Sequence, residues 1–467
     1  MTEKIRIPRI AVGAAGSGAG KTTLVCGLLS ALGRKGLRPV SFKCGPDYID
    51  PMFHREVLSV PSSNLDTFFC GEQGVRDILA SRGEEGDIAL IEGVMGYYDG
   101  LAGISRLAST WHVAAATETP SILMINGRGK SLSMAAEIKG FISYVENSGI
   151  KGVILSRVTG AMYRELKAII EDQLQVKALG YLPDMKECSL ESRHLGLVTA
   201  AEVKNLKAIT DSLGEQVLET VDLEGIISIA RQAPPLEKPA LYPASSEGGR
   251  AGKVRIAVAR DKAFCFYYRE NIKLLESLGA EPVYFSPLSD RRLPEGAGGL
   301  IIGGGYPELY LEELQENSSM REDIKRAVKE GMPCFAECGG FMYLHSEIED
   351  EEGRAFEMAG AVEGRCFPKG RLVRFGYVNL TAEEDNLLCR KGDVMKGHEF
   401  HYWDSTHPGA SFRASKPMRD RSWTCMVSEG NLLAGYPHVH FLSFPRVAEN
   451  FLEACVKYVG NTREELT

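Results

Sequence analysis

"GAAGSGAGKTT", residues 13–23, follows the aliphatic run "RIAVGA" (9–14) and leads into a helical pattern over 21–35. Glycines let a backbone turn its N–H groups inward around phosphate oxygens. The helix dipole, the Lys21 ammonium and the Thr22 hydroxyl then complete a cradle for a nucleotide and Mg2+. A strict G-x-x-x-x-G-K-T pattern needs Gly at position 15, and Ala15 stands there, so the loop is a variant. Ser17, Gly18, Gly20, Lys21, Thr22 and Thr23 are the candidate contacts, and ATP or another nucleotide is the expected ligand.

Outward from that loop, aliphatic runs alternate with helical spacing. "PVSFK" (39–43), "DIALIEG" (87–93), "PSILMING" (120–127) and "KGVILSRV" (151–158) read as strands, with helical segments such as 131–147 between them. This alternation predicts βαβ crossovers around a buried parallel sheet. Periodicity fades over "APPLEKPALYPASSEGGRAGK" (233–253), whose four prolines and small polar residues read as a linker. A second α/β pattern succeeds it, with strands expected at 254–260, 281–287, 298–305 and 332–337. The fold class is therefore α/β in two domains: a P-loop parallel-sheet domain over 1–232, a linker, and a second domain over 254–467.

Composition narrows the classes further. With 467 residues the chain exceeds one ordinary core, and 44% hydrophobic with 25% charged residues suits a globular protein. A net charge of -8 argues against nucleic acid as partner. Eleven cysteines at irregular spacing, with no C-x-x-C pair, suggest neither zinc nor a disulfide framework. No stretch reads as a signal peptide or membrane span, so a reducing cytoplasm is the expected compartment.

Three acidic stretches should converge on the phosphate loop, because ligands of parallel sheets bind beyond the carboxyl ends of strands. "FKCGPDYIDP" (42–51) offers Asp47 and Asp50, "DIALIEG" ends in Glu92, and "GVMGYYDG" (93–100) carries Asp99. Hard oxygen ligands suit magnesium, and Thr22, Asp47 and Glu92 are the candidate metal ligands.

The second domain has its own reactive corner. "FAECGGFMYL" (335–344) puts Cys338 between a buried strand and a helix start. A strand–nucleophile–helix corner exposes the sulfur, and the helix N-terminus favours thiolate, the attacking species. "IIGGGYPE" (301–308) offers N–H groups for a developing oxyanion, together with that of Gly339. "AGYPHVHF" (434–441) places His438 and His440 on one face of an extended segment, and a thiol needs such a base. "GHEFHYW" (397–403), with His398, Glu399 and His401, lacks H-E-x-x-H spacing and reads as a wall of the cleft.

Together, "SGAGKTT", "FKCGPDYIDPMFH", "EGVMGYYDG", "ESRHLGLV" (191–198), "GGGYPE", "ECGGFMYL", "GHEFHYW" and "HVHFLSFP" resemble the cobyrinate a,c-diamide synthase family, in order and along nearly the whole chain. These are glutamine-dependent amidotransferases of corrin-ring biosynthesis. The resemblance implies a dethiobiotin-synthetase-like first domain and a class I glutamine amidotransferase-like second domain. It implies Cys338 as glutaminase nucleophile and His438 as its base. Asp47, Asp50, Glu92 and Asp99 would serve ATP, magnesium and the carboxylates of a tetrapyrrole substrate. The chain differs from class I glutaminases in carrying His440 where they carry Glu, and it has Ser156 where Asn is common.

Within "ESRHLGLV", Arg193 and His194 fit either contact with an acidic substrate or a capping and packing motif. Ni-sirohydrochlorin, also a polycarboxylated tetrapyrrole, is an alternative acceptor. A P-loop ATPase switch with a degenerate glutaminase domain is a more distant reading, against which Cys338 and His438 are intact and no lysine occupies positions 14–19. The sequence leaves the oligomeric state open, a homodimer included.

Overall fold

The computed structural model describes residues 3–185, 188, 200–239 and 254–465. Arg193 and His194 lie outside them. The chain divides into two compact units between residues 241 and 242.

The first unit is built on a seven-stranded sheet. Its strands are β1 (Arg9–Ala14), β2 (Pro39–Cys44), β3 (Ser62–Leu65), β4 (Ile88–Glu92), β5 (Ser121–Asn126), β6 (Ile150–Ser156) and β7 (Lys177–Leu182). They run in the order β3-β2-β4-β1-β5-β6-β7, every pair parallel. Every residue of β1, β2 and β4 is buried, which is why they read as continuous apolar runs. All five expected strands are present. β3 reads Ser-Ser-Asn-Leu and has no apolar run to announce it, although its four residues are buried too.

Helices of this unit include α1 (Lys21–Arg34), α2 (Ile49–Glu56) and α3 (Ala200–Thr220). α1 leaves the carboxyl end of β1 through Gly20, at φ 97, and packs against α3. The start of the expected linker belongs to this unit. Leu236–Glu237 pairs antiparallel with Lys4–Ile5, and Leu236 is buried, so the chain departs later than its prolines suggest.

The second unit contains two larger sheets. The first comprises β8 (Val254–Ala259), β9 (Ala280–Phe285), β10 (Ala297–Ile302), β12 (Cys334–Glu337), β17 (Val427–Glu429) and β18 (Leu432–Gly435), with β11 (Gly304–Gly305) a short strand just beyond β10. The order is β9-β8-β10-β12-β18-β17, parallel except for the antiparallel edge strand β17. A short helix, α4 (Gly339–Leu344), starts directly after β12.

Of the other sheet, the short strand His438–Val439 alone falls in a segment expected to be extended, 434–441. β13 (Arg374–Ala382), β14 (Val394–His401), β15 (Phe412–Ser415), β16 (Ser422–Cys425) and β19 (His438–Val439) form an antiparallel sheet in the order β16-β15-β13-β14-β19. Its strands mix exposed and buried positions, as one-sided antiparallel strands do, so they give no continuous apolar signal. "GHEFHYW" lies largely in β14, where His398 is in register with His438. Among the described residues no helix is long and apolar enough to cross a membrane, and the eleven cysteines are free thiols.

The α1–α3 contact gives a test of packing. A Cβ on Gly27 would lie 2.8 Å from Val217 Cγ2 and 3.0 Å from the Leu213 carbonyl oxygen. Alanine ordinarily favours a helix interior over glycine by about 1 kcal/mol. Overpacking of about 1–3 kcal/mol opposes that gain here. Gly27→Ala is expected to destabilise the first unit, read as a lower midpoint in denaturant titration.

Candidate functional site

At the carboxyl end of β1 the chain turns through Gly18 (φ 71) and Gly20 (φ 97), a left-handed backbone that glycine adopts without Cβ strain. Lys21 is buried and donates to the Gly16 carbonyl at 3.1 Å and to the Met95 carbonyl, spanning the loop. Burial, reinforced by Lys43, lowers Lys21 to about 8. From β6, two strands along the sheet, the Ser156 hydroxyl donates to the Ala19 carbonyl at 3.1 Å and braces the loop.

Beside the loop lies a dense buried charge cluster. The Thr22 hydroxyl donates to Glu92 Oε1 at 2.7 Å, and Lys43 Nζ reaches the same oxygen at 2.9 Å while also pairing with Asp50. His54 Nε2 stands 3.5 Å from Glu92 Oε2, and its Nδ1 hydrogen-bonds Ser41 Oγ at 2.7 Å. Burial raises Glu92 to about 7, with Asp50 adding to it against the pull of Lys43. Burial alone would lower Lys43, but Glu92 and Asp50 hold it well above the usual lysine range. His54, driven down to about 4 by burial, is neutral.

Asp47 and Asp99 border this cluster with their carboxylates engaged. Asp47 Oδ1 accepts the Ile49 N–H at 2.8 Å and the Asp50 N–H at 3.3 Å, starting α2. Asp99 Oδ2 accepts the Gly96 N–H at 2.8 Å, closing the loop after β4. The site fits a magnesium ion best at Thr22 and Glu92: both present hard oxygens, and Glu92 Oε2 is buried without a hydrogen bond. Asp47 keeps its turn through Oδ1 alone, so its other carboxylate oxygen is the one that would face a metal.

In the second unit, Cys338 stands at the junction of β12 and α4 with φ 48, a conformation rare for a side-chain-bearing residue. The corner is held from three sides: Cys338 N–H donates to Gly435 O at 2.8 Å, Gly340 N–H to Gly303 O at 3.0 Å, and Met342 N–H to Cys338 O at 2.9 Å. A side chain at Gly340 would strike the Ile302 carbonyl, and one at Gly339 would lie 2.8 Å from Pro307 Cδ and 3.1 Å from the Gly305 nitrogen. The glycines thus bring two backbone segments together at the sulfur. Gly303 is not available to an oxyanion, because its N–H donates to Tyr267 Oη at 2.8 Å.

His438 hydrogen-bonds the Cys338 side chain. Burial disfavours charge on this imidazole, but Cys338 and Glu337 outweigh it and raise His438 to about 10. Glu337, directly before the cysteine, accepts the Val439 N–H on Oε1 at 2.6 Å and sets Oε2 3.9 Å from His438 Nδ1. His440, buried and lowered to about 3, packs its ring on Tyr268 with centroids 4.8 Å apart. Of the two histidines expected on one face of this extended segment, His438 is the one at the thiol. Within β14, Glu399 and His401 are buried, and His401 stacks on Tyr436 at 3.8 Å. No group of three metal-ligating side chains occurs among the described residues.

Residues 10–198 match the CobQ/CobB/MinD/ParA nucleotide binding domain, and residues 255–446 match the CobB/CobQ-like glutamine amidotransferase domain. The cobyrinate a,c-diamide synthase of Caldanaerobacter subterraneus subsp. tengcongensis is 39% identical over 447 residues, which cover 95% of this chain and 97% of that protein. The enzymes of the same name from Clostridium tetani and Thermoplasma volcanium are 40% and 39% identical, over 93% and 97% of this chain and 97% and 98% of theirs. The chain belongs to the cobyrinate a,c-diamide synthase family. It is accordingly a glutamine-hydrolysing ligase with a nucleotide-binding unit.

In this member of the family, Lys21, Thr22, Glu92 and Asp50 come together, as do Cys338 and His438. Sequence reasoning gives no role to Lys43, His54 or Glu337. Lys43 and Glu337 share a signal: each is a charged residue at the end of an otherwise apolar buried strand. A buried charge of that kind needs a partner, and here the partner is the site.

Because burial and Lys43 lower Lys21 to about 8, phosphate binding above that pH carries the cost of protonating the amine. Nucleotide affinity should fall about tenfold per pH unit from pH 8 to 10, by calorimetry, and Lys21→Arg should flatten that slope. In the other unit, Glu337→Gln removes a group that favours the His438 imidazolium. Its kcat/KM for glutamine should drop about 10- to 100-fold, with the alkaline limb of the pH profile displaced to lower pH.

Proposed function

We propose that this chain uses ATP and glutamine to convert the a- and c-acetate carboxylates of cobyrinate to amides, one per turnover. The observation that carries the reading is the pairing, in one polypeptide, of a thiol–imidazole couple in residues 254–467 with a phosphate loop backed by Glu92 in residues 1–232. The names of the relatives favour cobyrinate over Ni-sirohydrochlorin as acceptor.

At the thiol end, Cys338 Sγ attacks the side-chain amide carbon of glutamine while its proton resides on His438. The tetrahedral oxyanion faces the backbone of Gly305 and Gly339, which lie side by side. His438 returns the proton to the departing nitrogen, ammonia leaves, and water hydrolyses the γ-glutamyl thioester to glutamate.

At the phosphate end, the chemistry is set by leaving groups. A carboxylate does not exchange oxide for ammonia in water. Transfer of the ATP γ-phosphoryl group to the acceptor carboxylate gives an acyl phosphate, from which phosphate departs when ammonia attacks. Lys21 neutralises charge developing on the phosphoryl oxygens and the loop amides hold them. Magnesium, held by Thr22 and Glu92, would supply further charge neutralisation at those oxygens. Asp50, Asp47 and Asp99 border the acceptor and nucleotide.

Cys338→Ser should lose at least about 1,000-fold of glutamine-dependent amidation yet keep amidation with added ammonium salt. Lys21→Ala should lose amidation with either nitrogen source. Mass spectrometry of cobyrinate after incubation reads both. Failure of ammonium to support the Cys338→Ser enzyme overturns the division of labour between the two units.

A further inference from the structure

We propose that Glu308 is the carboxylate that recognises the α-ammonium group of the glutamine hydrolysed at Cys338. The inference rests on the glutaminase reading of the second unit and names the residue that selects its substrate.

Position is the first argument. Glu308 lies in the single turn Pro307–Leu309, one residue beyond the end of β11. Pro307 and Gly305 are the groups packed against Gly339, the residue next to the nucleophile. The turn is thereby fixed against the start of α4. In glutamine the amide carbon and the α-nitrogen are separated by three carbons, roughly 5 Å when extended. A glutamate side chain on this turn spans a similar length.

Charge is the second. Protein crowds the Glu308 carboxyl and pushes it up to about 7, with its own backbone N–H opposing that burial and no charged group acting on it among the described residues. The residue nevertheless keeps partial exposure, so a solute can reach it. A crowded carboxylate without a counter-charge is costly, and a ligand's ammonium group supplies what the protein withholds. Glu337, the carboxylate next to the nucleophile, is already engaged: it holds Val439 and His438. Glu399 is hydrogen-bonded by Trp423 and flanked by Lys416 and Arg374.

The test compares glutamate release from glutamine with the same hydrolysis of 5-amino-5-oxopentanoate, which is glutamine without its α-amino group. Wild-type protein should prefer glutamine by kcat/KM. Glu308→Gln should lose about tenfold or more of that preference, with the loss in the KM for glutamine and little change for the analogue. Glu308→Asp, which restores the charge at shorter reach, should regain part of it. If both substrates decline together in Glu308→Gln, or if wild-type protein does not distinguish them, the assignment is overturned. Wild-type protein that hydrolyses neither overturns the glutaminase reading and the assignment with it.

Discussion

Both reactive centres depend on one backbone constraint: a buried parallel strand must reverse into a helix within a few residues, with the backbone driven to positive φ. In the first unit that residue is Gly20, immediately before Lys21. In the second it is Cys338 itself, at φ 48. The turn aims helix N–H groups at whatever lies beyond the strand end, where a parallel sheet offers its crevice. Glycine makes the first turn without strain and leaves chemistry to the lysine after it. Cysteine makes the second under strain of about 1–3 kcal/mol. The hydrogen bonds to Gly435 and Gly303, and the close glycine contacts around them, hold it there.

The two corners handle buried charge in opposite ways. Around Glu92, one fully buried lysine is shared by two acids, so Lys43 is held charged while Glu92 is pushed up to about 7. A carboxylate so poised gains from any added cation. At the thiol, a single imidazole stands between sulfur and carboxylate, with His438 raised despite burial. There the protein supplies the full complement of charge, and a neutral amide is the group that enters. Each unit is therefore complementary to its own reactant: the incomplete cluster to ions, the balanced one to an uncharged carbonyl.

How much of the molecule is legible in the sequence depends on what each feature asks of its residues. Strands buried on both faces are continuous aliphatic runs, so β1, β2, β4, β5 and β6 can be read directly; the glycine-rich loop after β1 carries the candidate phosphate corner, and the glycine pair after β12 the thiol corner. The antiparallel sheet from β13 to β19 is not legible in this way, because its strands face a core on one side only and alternate weakly. The role of Glu337 is hidden for a different reason. Class I glutaminases carry the third member of their triad two residues after the histidine, and that position holds His440, which packs on Tyr268. A carboxylate from about a hundred residues earlier, adjacent to the nucleophile, instead reaches His438. Linear spacing shows no such pairing, since it depends on β12 meeting β18 and β18 turning into β19.

That route has a structural corollary. Glu337 is anchored by the backbone N–H of Val439 as well as facing His438. The carboxylate therefore fixes the position of the strand that carries the base, besides acting on its charge. Cys338 is fixed in turn by the Gly435 carbonyl, three residues before His438. Nucleophile and base are thus tied by two hydrogen bonds that cross between the same pair of segments. A carboxylate placed after the histidine, as in the common triad, could orient the ring but would not cross-link the two segments in this way. With Glu337 in this position, alignment of sulfur and imidazole becomes a property of the local sheet, set before substrate arrives.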